Sequence, residues 1–128
     1  MSSNTIQLPF VDITLQNDII HVQPHKNAIA TIKHMHQVHK SFQKLSNGIK
    51  HPALIDMTNV QTMDYAARKY IAEETGDVIN AVALITNSPI NRVIGNFFIG
   101  INKPTYPARI FTNQQDAIHW LQEVTRKP

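Results

Sequence analysis

Apolar and polar residues alternate along the first part of the chain in a pattern typical of β-strands buried on one face. Over residues 9–15, every second side chain is apolar and would face the same side of a strand. Asn17 and Asp18 favour a turn, and residues 19–23 then return as a second strand. The pattern therefore predicts a hairpin at the start of the fold.

Further along the chain, apolar residues recur every three or four positions, which predicts amphipathic helices. The longest such stripe covers residues 27–46. Asp64 can cap a second helix through its carboxylate, and Ser88 followed by Pro89 is a strong start for a third. Residues 112–115 resemble a capping box, in which Thr is followed three positions later by Gln, and they predict the last helix.

Three more apolar segments fit strands, over residues 52–57, 81–86 and 107–111. The middle one is apolar without alternation, as in a central strand that is covered on both faces. Strands that alternate with helices imply parallel pairing through right-handed crossovers. We therefore predict a single α/β domain over residues 1–128, with a mixed five-stranded sheet and four helices. The first strand is expected to be antiparallel and the rest parallel.

Composition places the chain among globular proteins and excludes several classes of site. Of its 128 residues, 42% are hydrophobic and 16% are charged, which suits one domain with a substantial core. The chain has no cysteine, so disulfides, thiol catalysis and thiolate zinc sites are excluded. No apolar run is long enough to span a membrane, and the first residues do not resemble a secretory signal. These features predict a cytoplasmic protein.

The net charge of +3 comes from scattered Lys and Arg residues and not from a dense cluster. Nucleic-acid binders usually combine clustered cations with aromatic platforms. We therefore do not expect a nucleic-acid partner.

The most informative segment is a strand that ends in polar residues, followed by a loop and a capped helix. It reads Asp56-Met57-Thr58-Asn59-Val60-Gln61-Thr62-Met63-Asp64-Tyr65-Ala66-Ala67. The segment resembles the motif Asp-Leu-Ser-Gly-Val-x-x-x-Asp-Ser-Ser-Gly of the anti-sigma-factor-antagonist (STAS) domain. Asp56, Val60 and Asp64 match that motif, and Thr58 stands where Ser is usual. The predicted order of strands and helices is also that of the STAS family.

The departures from the motif concern the serine pair that receives the regulatory phosphate in STAS proteins. Tyr65 and Ala66 stand in place of the two serines, and Ala67 replaces the glycine that follows. Because Ala66 has no hydroxyl, the phosphorylation switch of the parent family is not expected here. Tyr65 is a chemically competent acceptor, but serine kinases of that pathway would not be expected to use it.

A bacterial STAS/SEC14-like branch is similar to this chain in three other segments. These are residues 88–89, 92–98 and 102–104. Together, the two resemblances imply a STAS-like fold and a non-enzymatic module that works by docking a protein partner.

Three histidines in the first helix invite a metal-site hypothesis, which their spacing does not favour. His34 and His36 would lie about 200° apart around a helix with 3.6 residues per turn. Only His36 and His39 would be neighbours, and two ligands without a third make a poor site. We therefore expect solvated histidines, no metal and no cofactor.

The other polar residues at strand ends have structural explanations. Asp56 sits in an apolar strand and is expected to accept backbone N–H groups from the next loop. Ser88 has no framing glycines and is expected to cap a helix and not to act as a nucleophile. Gly95 and Gly100 are expected to allow close packing of the third helix. Since no nucleophile, base and oxyanion donor can be assembled, we do not expect an enzyme.

A polar row at the carboxyl ends of the parallel strands is our predicted working surface. Its partner-binding members are Thr58, Asn59, Thr62, Asp64, Tyr65, Asn87 and Ser88, with Thr112 and Asn113 beside them. The favoured hypothesis is a regulatory or protein-interaction module with an unidentified protein partner.

The alternative is a domain that binds a small apolar ligand or a lipid. Its pocket would lie under the third helix, with Phe97, Phe98 and Ile101 as candidate lining residues. The same apolar helix could also serve as a homodimer face, although core packing is the favoured use because it is apolar on more than one side. A pocket of a few hundred Å³ with convergent polar groups would distinguish ligand binding from a flat docking edge.

Overall fold

The computed structural model describes residues 4–126 and contains four α-helices and two β-sheets. The strands are β1 (Thr5–Gln7), β2 (Val11–Gln16), β3 (Ile19–Pro24), β4 (Ala28–Ala30), β5 (His51–Asp56), β6 (Val60–Met63), β7 (Ile79–Ile85) and β8 (Ala108–Phe111). The helices are α1 (Ile32–Ser46), α2 (Tyr65–Glu74), α3 (Pro89–Phe97) and α4 (Gln114–Val124). A single π-helical turn (Phe98–Asn102) continues α3.

The main sheet has six strands in the order β1-β2-β3-β5-β7-β8, and β4 and β6 form a separate two-stranded sheet. β1 and β2 run antiparallel to their neighbours, whereas β3, β5, β7 and β8 are parallel. The α/β class, the mixed sheet and the four helices confirm the prediction from sequence. The predicted count of five strands is one short, because the three-residue β1 is too brief to show an alternating pattern.

The start of the first helix was predicted five residues too early. Residues 28–30 form β4, which pairs with β6 in parallel, and α1 begins only at Ile32. Asn27 adopts a left-handed conformation with φ of 62°, which ends any helical path from the preceding turn. The hydroxyl of Thr31 then caps α1 by accepting a hydrogen bond from the backbone N–H of His34.

Two cores lie on opposite faces of the main sheet. The larger one joins the sheet to α1, α2 and α3, and includes Ile13, Ile20 and Val82. The smaller one packs Ala117 and Leu121 of α4 against the other face. β7 contributes to both cores, as expected for an apolar strand without alternation.

The starts of α2 and α3 follow the predicted capping chemistry, whereas that of α4 does not. The Asp64 carboxylate accepts from the N–H of Ala67 at 2.8 Å, and the Ser88 hydroxyl accepts from the N–H of Asn91 at 3.2 Å. In α4 the cap is Asn113 and not Thr112, because the Asn113 side chain accepts from the N–H of Asp116 at 2.9 Å. The predicted capping box is therefore displaced by one residue.

Candidate functional site

The carboxyl ends of β5, β7 and β8 meet at one edge of the main sheet. The N–H of Met57 donates to the Ile85 carbonyl at 2.8 Å, and the N–H of Thr86 donates to the Phe111 carbonyl at 2.9 Å. The parallel register therefore continues past the strand ends and brings the following loops together. This strand-end edge consists of Thr58, Asn59, Asn87, Ser88, Thr112 and Asn113, of which all but the half-buried Asn59 are exposed.

The loop after β5 is held by hydrogen bonds from within the chain. Asp56 accepts from the N–H of Thr58 at 2.9 Å, as predicted, and also from the side-chain amide of Gln23 at 3.2 Å. The Asn59 amide donates to the carbonyl of Pro24 at 3.4 Å. Asn59 therefore stabilises the loop with its side-chain N–H₂, which leaves less of the amide free for a partner.

Thr62, Asp64 and Tyr65 lie beyond the strand-end edge along the chain, in β6 and at the start of α2. Thr62 lies in β6 itself, Asp64 caps α2, and Tyr65 is the first residue of that helix with 55% of its surface exposed. The prediction placed all seven partner-binding residues in one row, whereas the structure divides them into two groups. The reason is the unpredicted β4–β6 pairing, which carries the chain away from the main sheet before α2 begins.

An exposed apolar stripe runs along α3 and its π-helical turn. Its four side chains are separated by three, four and four positions, so they share one side of the helix. Their exposed fractions are 65% for Ile90, 49% for Val93, 43% for Phe97 and 60% for Ile101. We call these four residues the α3 face.

A different side of α3 packs against the sheet. It includes Asn91, Ile94, Gly95 and the buried Phe98. A Cβ atom added at Gly95 would lie 3.0 Å from Ile110 Cδ1, which confirms the predicted close packing. The same expectation is wrong for Gly100, where nothing lies within 4 Å, and core packing is wrong for Phe97 and Ile101. Sequence reasoning missed the α3 face because both sides of the helix are apolar.

Arg68 of α2 lies against the α3 face. Its guanidinium carbon is 5.4 Å from the centre of the Phe97 ring, within the range of a cation–π contact. Its Nε donates to the side-chain carbonyl of Asn102 at 3.2 Å, and Nη1 donates to the Met63 carbonyl. The cation is therefore held at the border of the α3 face by neighbours from two other elements.

An apolar cavity of about 80 Å³ lies between the sheet, the β4–β6 pair and the inner side of α3. Phe98 lines it together with three methionines, Met35, Met57 and Met63. The other two predicted pocket residues, Phe97 and Ile101, are not in its wall. All of the lining side chains are apolar, so no convergent polar group would orient a ligand there.

The three histidines of α1 have different environments, and one contradicts the expectation of solvated side chains. His39 is only 8% exposed, and its Nε2 lies 2.8 Å from Asp77 and its Nδ1 2.9 Å from the Tyr70 hydroxyl. His36 contacts the Tyr70 ring edge-on, whereas His34 stacks on Phe10. Across residues 4–126, no three potential ligands come together as a metal site.

The hydrogen-bond directions around His39 follow from the ionisation of its partners. Burial pushes the pKa of Asp77 up, but hydrogen bonds from Gln43 and His39, with the charge of His39, outweigh it and hold that pKa below its usual value. Burial and the nearby charges of Glu74 and Asp77 raise the pKa of Tyr70. Tyr70 therefore keeps its hydroxyl proton and lies at Nδ1 of His39, while the Nε2–H of His39 donates to the Asp77 carboxylate. The cluster joins α1 to α2 and to the loop before β7.

Within the described part of the chain, no helix has both the length and the hydrophobicity needed to cross a bilayer.

Comparison with solved structures supports the architecture. An uncharacterized protein of the DUF3478 family from Shewanella loihica PV-4, described as having a SpoIIAA-like fold, is similar with a TM-score of 0.60 and 20% identity. The alignment covers 94% of this chain and 98% of that protein. This likeness confirms the fold as SpoIIAA-like, which is the STAS fold.

A second solved structure, of a protein with unknown function from Arthrobacter sp. FB24, aligns over 85% of this chain and 90% of its own. The two are 29% identical with a TM-score of 0.33. No curated protein matches the chain in sequence. The sequence profile of a domain of unknown function (DUF7793) matches residues 13–125, and the chain therefore belongs to the DUF7793 family.

Proposed function

We propose that this domain is a non-enzymatic protein-interaction module that docks a partner on the α3 face and the adjoining strand-end edge. The observation that carries the proposal is the exposure of four large apolar side chains, Ile90, Val93, Phe97 and Ile101, on one side of one helix. Single exposed apolar residues are ordinary, but contiguous apolar patches on a soluble domain usually mark an interaction site.

The arrangement of polar groups supports docking over the apolar face. Protein interfaces commonly combine an apolar centre with a polar rim that remains partly hydrated. The α3 face would supply the centre. Ser88 caps the same helix at the strand-end edge, so that edge adjoins the apolar stripe and would supply part of the rim. Tyr65, half exposed at the start of α2, would add an aromatic contact of the kind enriched at interfaces.

The titratable side chains support a role without catalysis. His39 is paired with Asp77, His25 with Asp12 and His119 with Glu123. Asp56 accepts two hydrogen bonds that hold a loop. These groups belong to separate local networks, whereas a catalytic site needs a nucleophile, a base and an oxyanion donor around one reacting atom.

Ligand binding in the cavity is the weaker alternative. Pockets for drug-sized ligands measure about 300–1,000 Å³ and place a few polar groups among the apolar ones. The cavity measures about 80 Å³, and its wall is apolar throughout. We therefore retain one function, the docking of a protein partner.

Capture from the native cell tests the proposal when it is done with matched variants. The tagged wild-type domain and the Ile90→Glu and Phe97→Glu variants would be used as baits, followed by mass spectrometry of the captured proteins. Ile49→Glu is the matched control, because Ile49 is exposed to the same 65% as Ile90 but lies in the turn after α1. Thermal melting of each bait would establish that it is folded.

We expect a specific partner to be captured by the wild type and by Ile49→Glu and to be lost from both α3 variants. Tyr65→Ala should weaken the capture. A partner that the wild type, Ile49→Glu and both α3 variants retain equally would contradict docking on the α3 face.

A further inference from the structure

The charge around the α3 face is positive and unpaired. No Asp or Glu occurs between Asp77 and Asp116, a stretch that includes all of α3 and its π-helical turn. Arg92 and Lys103 are exposed at the two ends of this segment. Every ion pair among residues 4–126 involves a histidine, so these two cations have no carboxylate partner there. Together with Arg68, they make the surroundings of the α3 face cationic.

One carboxylate of α2 lies near this region. Asp64 precedes Arg68 by one helical turn, and its carboxylate accepts the N–H of Ala67 as the helix cap. Glu73 and Glu74 lie at the carboxyl end of α2. Arg68, Arg92 and Lys103 therefore outnumber the nearby carboxylate of Asp64, and the net charge of the region is positive.

The shape of the α3 face suits another helix. From Ile90 to Phe97 the stripe extends over about 10 Å, given a rise of 1.5 Å per residue, and Ile101 lies in the π-helical turn beyond it. Its backbone is fixed from behind, because Gly95 packs closely on Ile110 and the Asn91 side-chain amide donates to the Val60 carbonyl at 3.4 Å. A ridge of side chains spaced by three and four residues fits the groove between equivalent side chains of a second helix.

We propose that the partner presents an acidic amphipathic helix, which packs its apolar side along the α3 face and directs carboxylates to Arg68, Arg92 and Lys103. This inference rests on the proposed docking function and specifies its partner class. Arg92 is exposed on the solvent flank of α3, outside the stripe itself, whereas Arg68 contacts Phe97 and Lys103 follows Ile101 by two positions. Electrostatic complementarity at such a rim raises the association rate and excludes partners of the wrong charge.

Two other occupants fit the same observations less well. A second copy of this chain packed on the α3 face would bring two sets of unpaired cations into one interface, where like charges are unfavourable. An anionic membrane surface is usually recognised by clusters of about four to eight Lys or Arg residues. Only three cations lie around the α3 face, and one of them, Arg68, is held by hydrogen bonds to Asn102 and Met63.

The test uses two synthetic helical peptides that differ only in charge. Both have leucines on one side, with glutamates flanking the leucines in the acidic peptide and lysines in the basic peptide. Fluorescence anisotropy of each labelled peptide is measured with the whole chain and with the double variant Arg92→Glu/Lys103→Glu. Because both substitutions replace exposed side chains, the fold should be retained.

We expect the wild type to bind the acidic peptide about tenfold more tightly than the basic one, and the double variant to reverse that preference. Amide NMR shifts caused by the acidic peptide should concentrate in residues 90–101. Equal binding of both peptides, or binding of neither, would overturn the acidic-helix inference.

Two further measurements address the other occupants. Sedimentation of the wild type against Phe97→Glu would reveal a dimer through the α3 face, and that result would overturn the inference. The inference would also be overturned if the wild type floated with vesicles of equal parts phosphatidylcholine and phosphatidylglycerol and Phe97→Glu did not. The proposed docking function is tested by a different result from the acidic-helix inference. It would be contradicted if Ile90→Glu and Phe97→Glu captured the native partner as well as the wild type does.

Discussion

The guanidinium of Arg68 lies 5.4 Å from the centre of the Phe97 ring, although these residues belong to different helices. Phe97 is 43% exposed, so the contact holds a large aromatic side chain in place at the surface. The same guanidinium donates to the side chain of the buried Asn102. Arg68 therefore connects α2 to the apolar stripe and to the π-helical turn at once.

Replacement of Arg68 should reduce both stability and partner capture. Arg68→Ala leaves the buried side-chain oxygen of Asn102 without its donor, which should lower the free energy of unfolding by about 1–3 kcal/mol. Arg68→Lys should recover little of this loss, because an ammonium group cannot make the same divergent hydrogen bonds. Urea unfolding of the three proteins measures the effect. Full recovery by lysine would show that charge alone is responsible.

Removal of the buried Tyr106 hydroxyl should lower the free energy of unfolding at neutral pH. Its hydroxyl donates to the Ile71 carbonyl at 3.0 Å and lies 2.8 Å from the Thr75 hydroxyl, all in the protein interior. Tyr106→Phe should therefore lower the free energy of unfolding by about 1 kcal/mol, the usual net value of such a bond. Tyr65→Phe is the control, because the Tyr65 ring is more than half exposed. An equal effect of both substitutions would contradict the assignment.

The contribution of Tyr106 to the free energy of unfolding should depend on pH in the alkaline range. Burial raises the pKa of Tyr106 to about 12, from an ordinary value of 10.0. Since the folded state holds the proton more tightly, this contribution to stability is present below pH 10 and is lost as the pH rises towards 12. Urea unfolding between pH 8 and about 11 should show a smaller alkaline decline in Tyr106→Phe than in the wild type. Identical declines would contradict the prediction.

The contribution of Asp77 to the free energy of unfolding should depend on pH in the acid range. Burial raises the pKa of its carboxyl, but the hydrogen bonds from Gln43 and His39 outweigh burial and lower it below the ordinary value of 3.8. The contribution of Asp77 is therefore present above pH 3.8 and is lost as the pH falls through the lower folded value.

Asp77→Asn should cost less than about 1 kcal/mol at neutral pH, because the Asp77 side chain is half exposed and solvent screens its charge. The difference from the wild type should shrink below pH 3.8. Guanidinium unfolding at several pH values measures it, with the exposed Glu73→Gln as control. A difference that stays constant down to low pH would show that the ionised carboxylate is not responsible.

The two glycines near the end of α3 should respond differently when they are replaced by alanine. Gly100→Ala should stabilise the domain by about 0.5–1 kcal/mol, because alanine favours helical backbone and its Cβ would meet no neighbour within 4 Å. Gly95→Ala should gain less, since its Cβ would press on Ile110, and Gly95→Leu should be clearly destabilising. Thermal melts of the three variants rank them. Equal stabilisation by both alanines would mean that the contact with Ile110 is easily relaxed.

Structural features that depend on residues close together in the chain could be predicted from sequence. Asp64 and Ser88 each reach an N–H only three residues away, so the starts of α2 and α3 are local properties. Asp56 similarly holds the N–H of Thr58 two residues on. The strand-end edge also followed from sequence, because alternating strands and helices imply parallel strands with their carboxyl ends together.

The elements that sequence missed depend on partners far along the chain. Ala28–Ala30 fits a helical stripe, and it forms a strand only because β6 lies beside it. His39 is buried by Tyr70 and Asp77, which are 31 and 38 positions away.

The sequence by itself determined the class of fold, the starts of α2 and α3 and the strand-end edge, since local hydrogen bonds and apolar periodicity act within a few residues. Only the tertiary structure decided which apolar side of α3 would remain exposed. Both sides are apolar in sequence, but close packing of Gly95 on Ile110 turns Phe98 inward and leaves Phe97 at the surface.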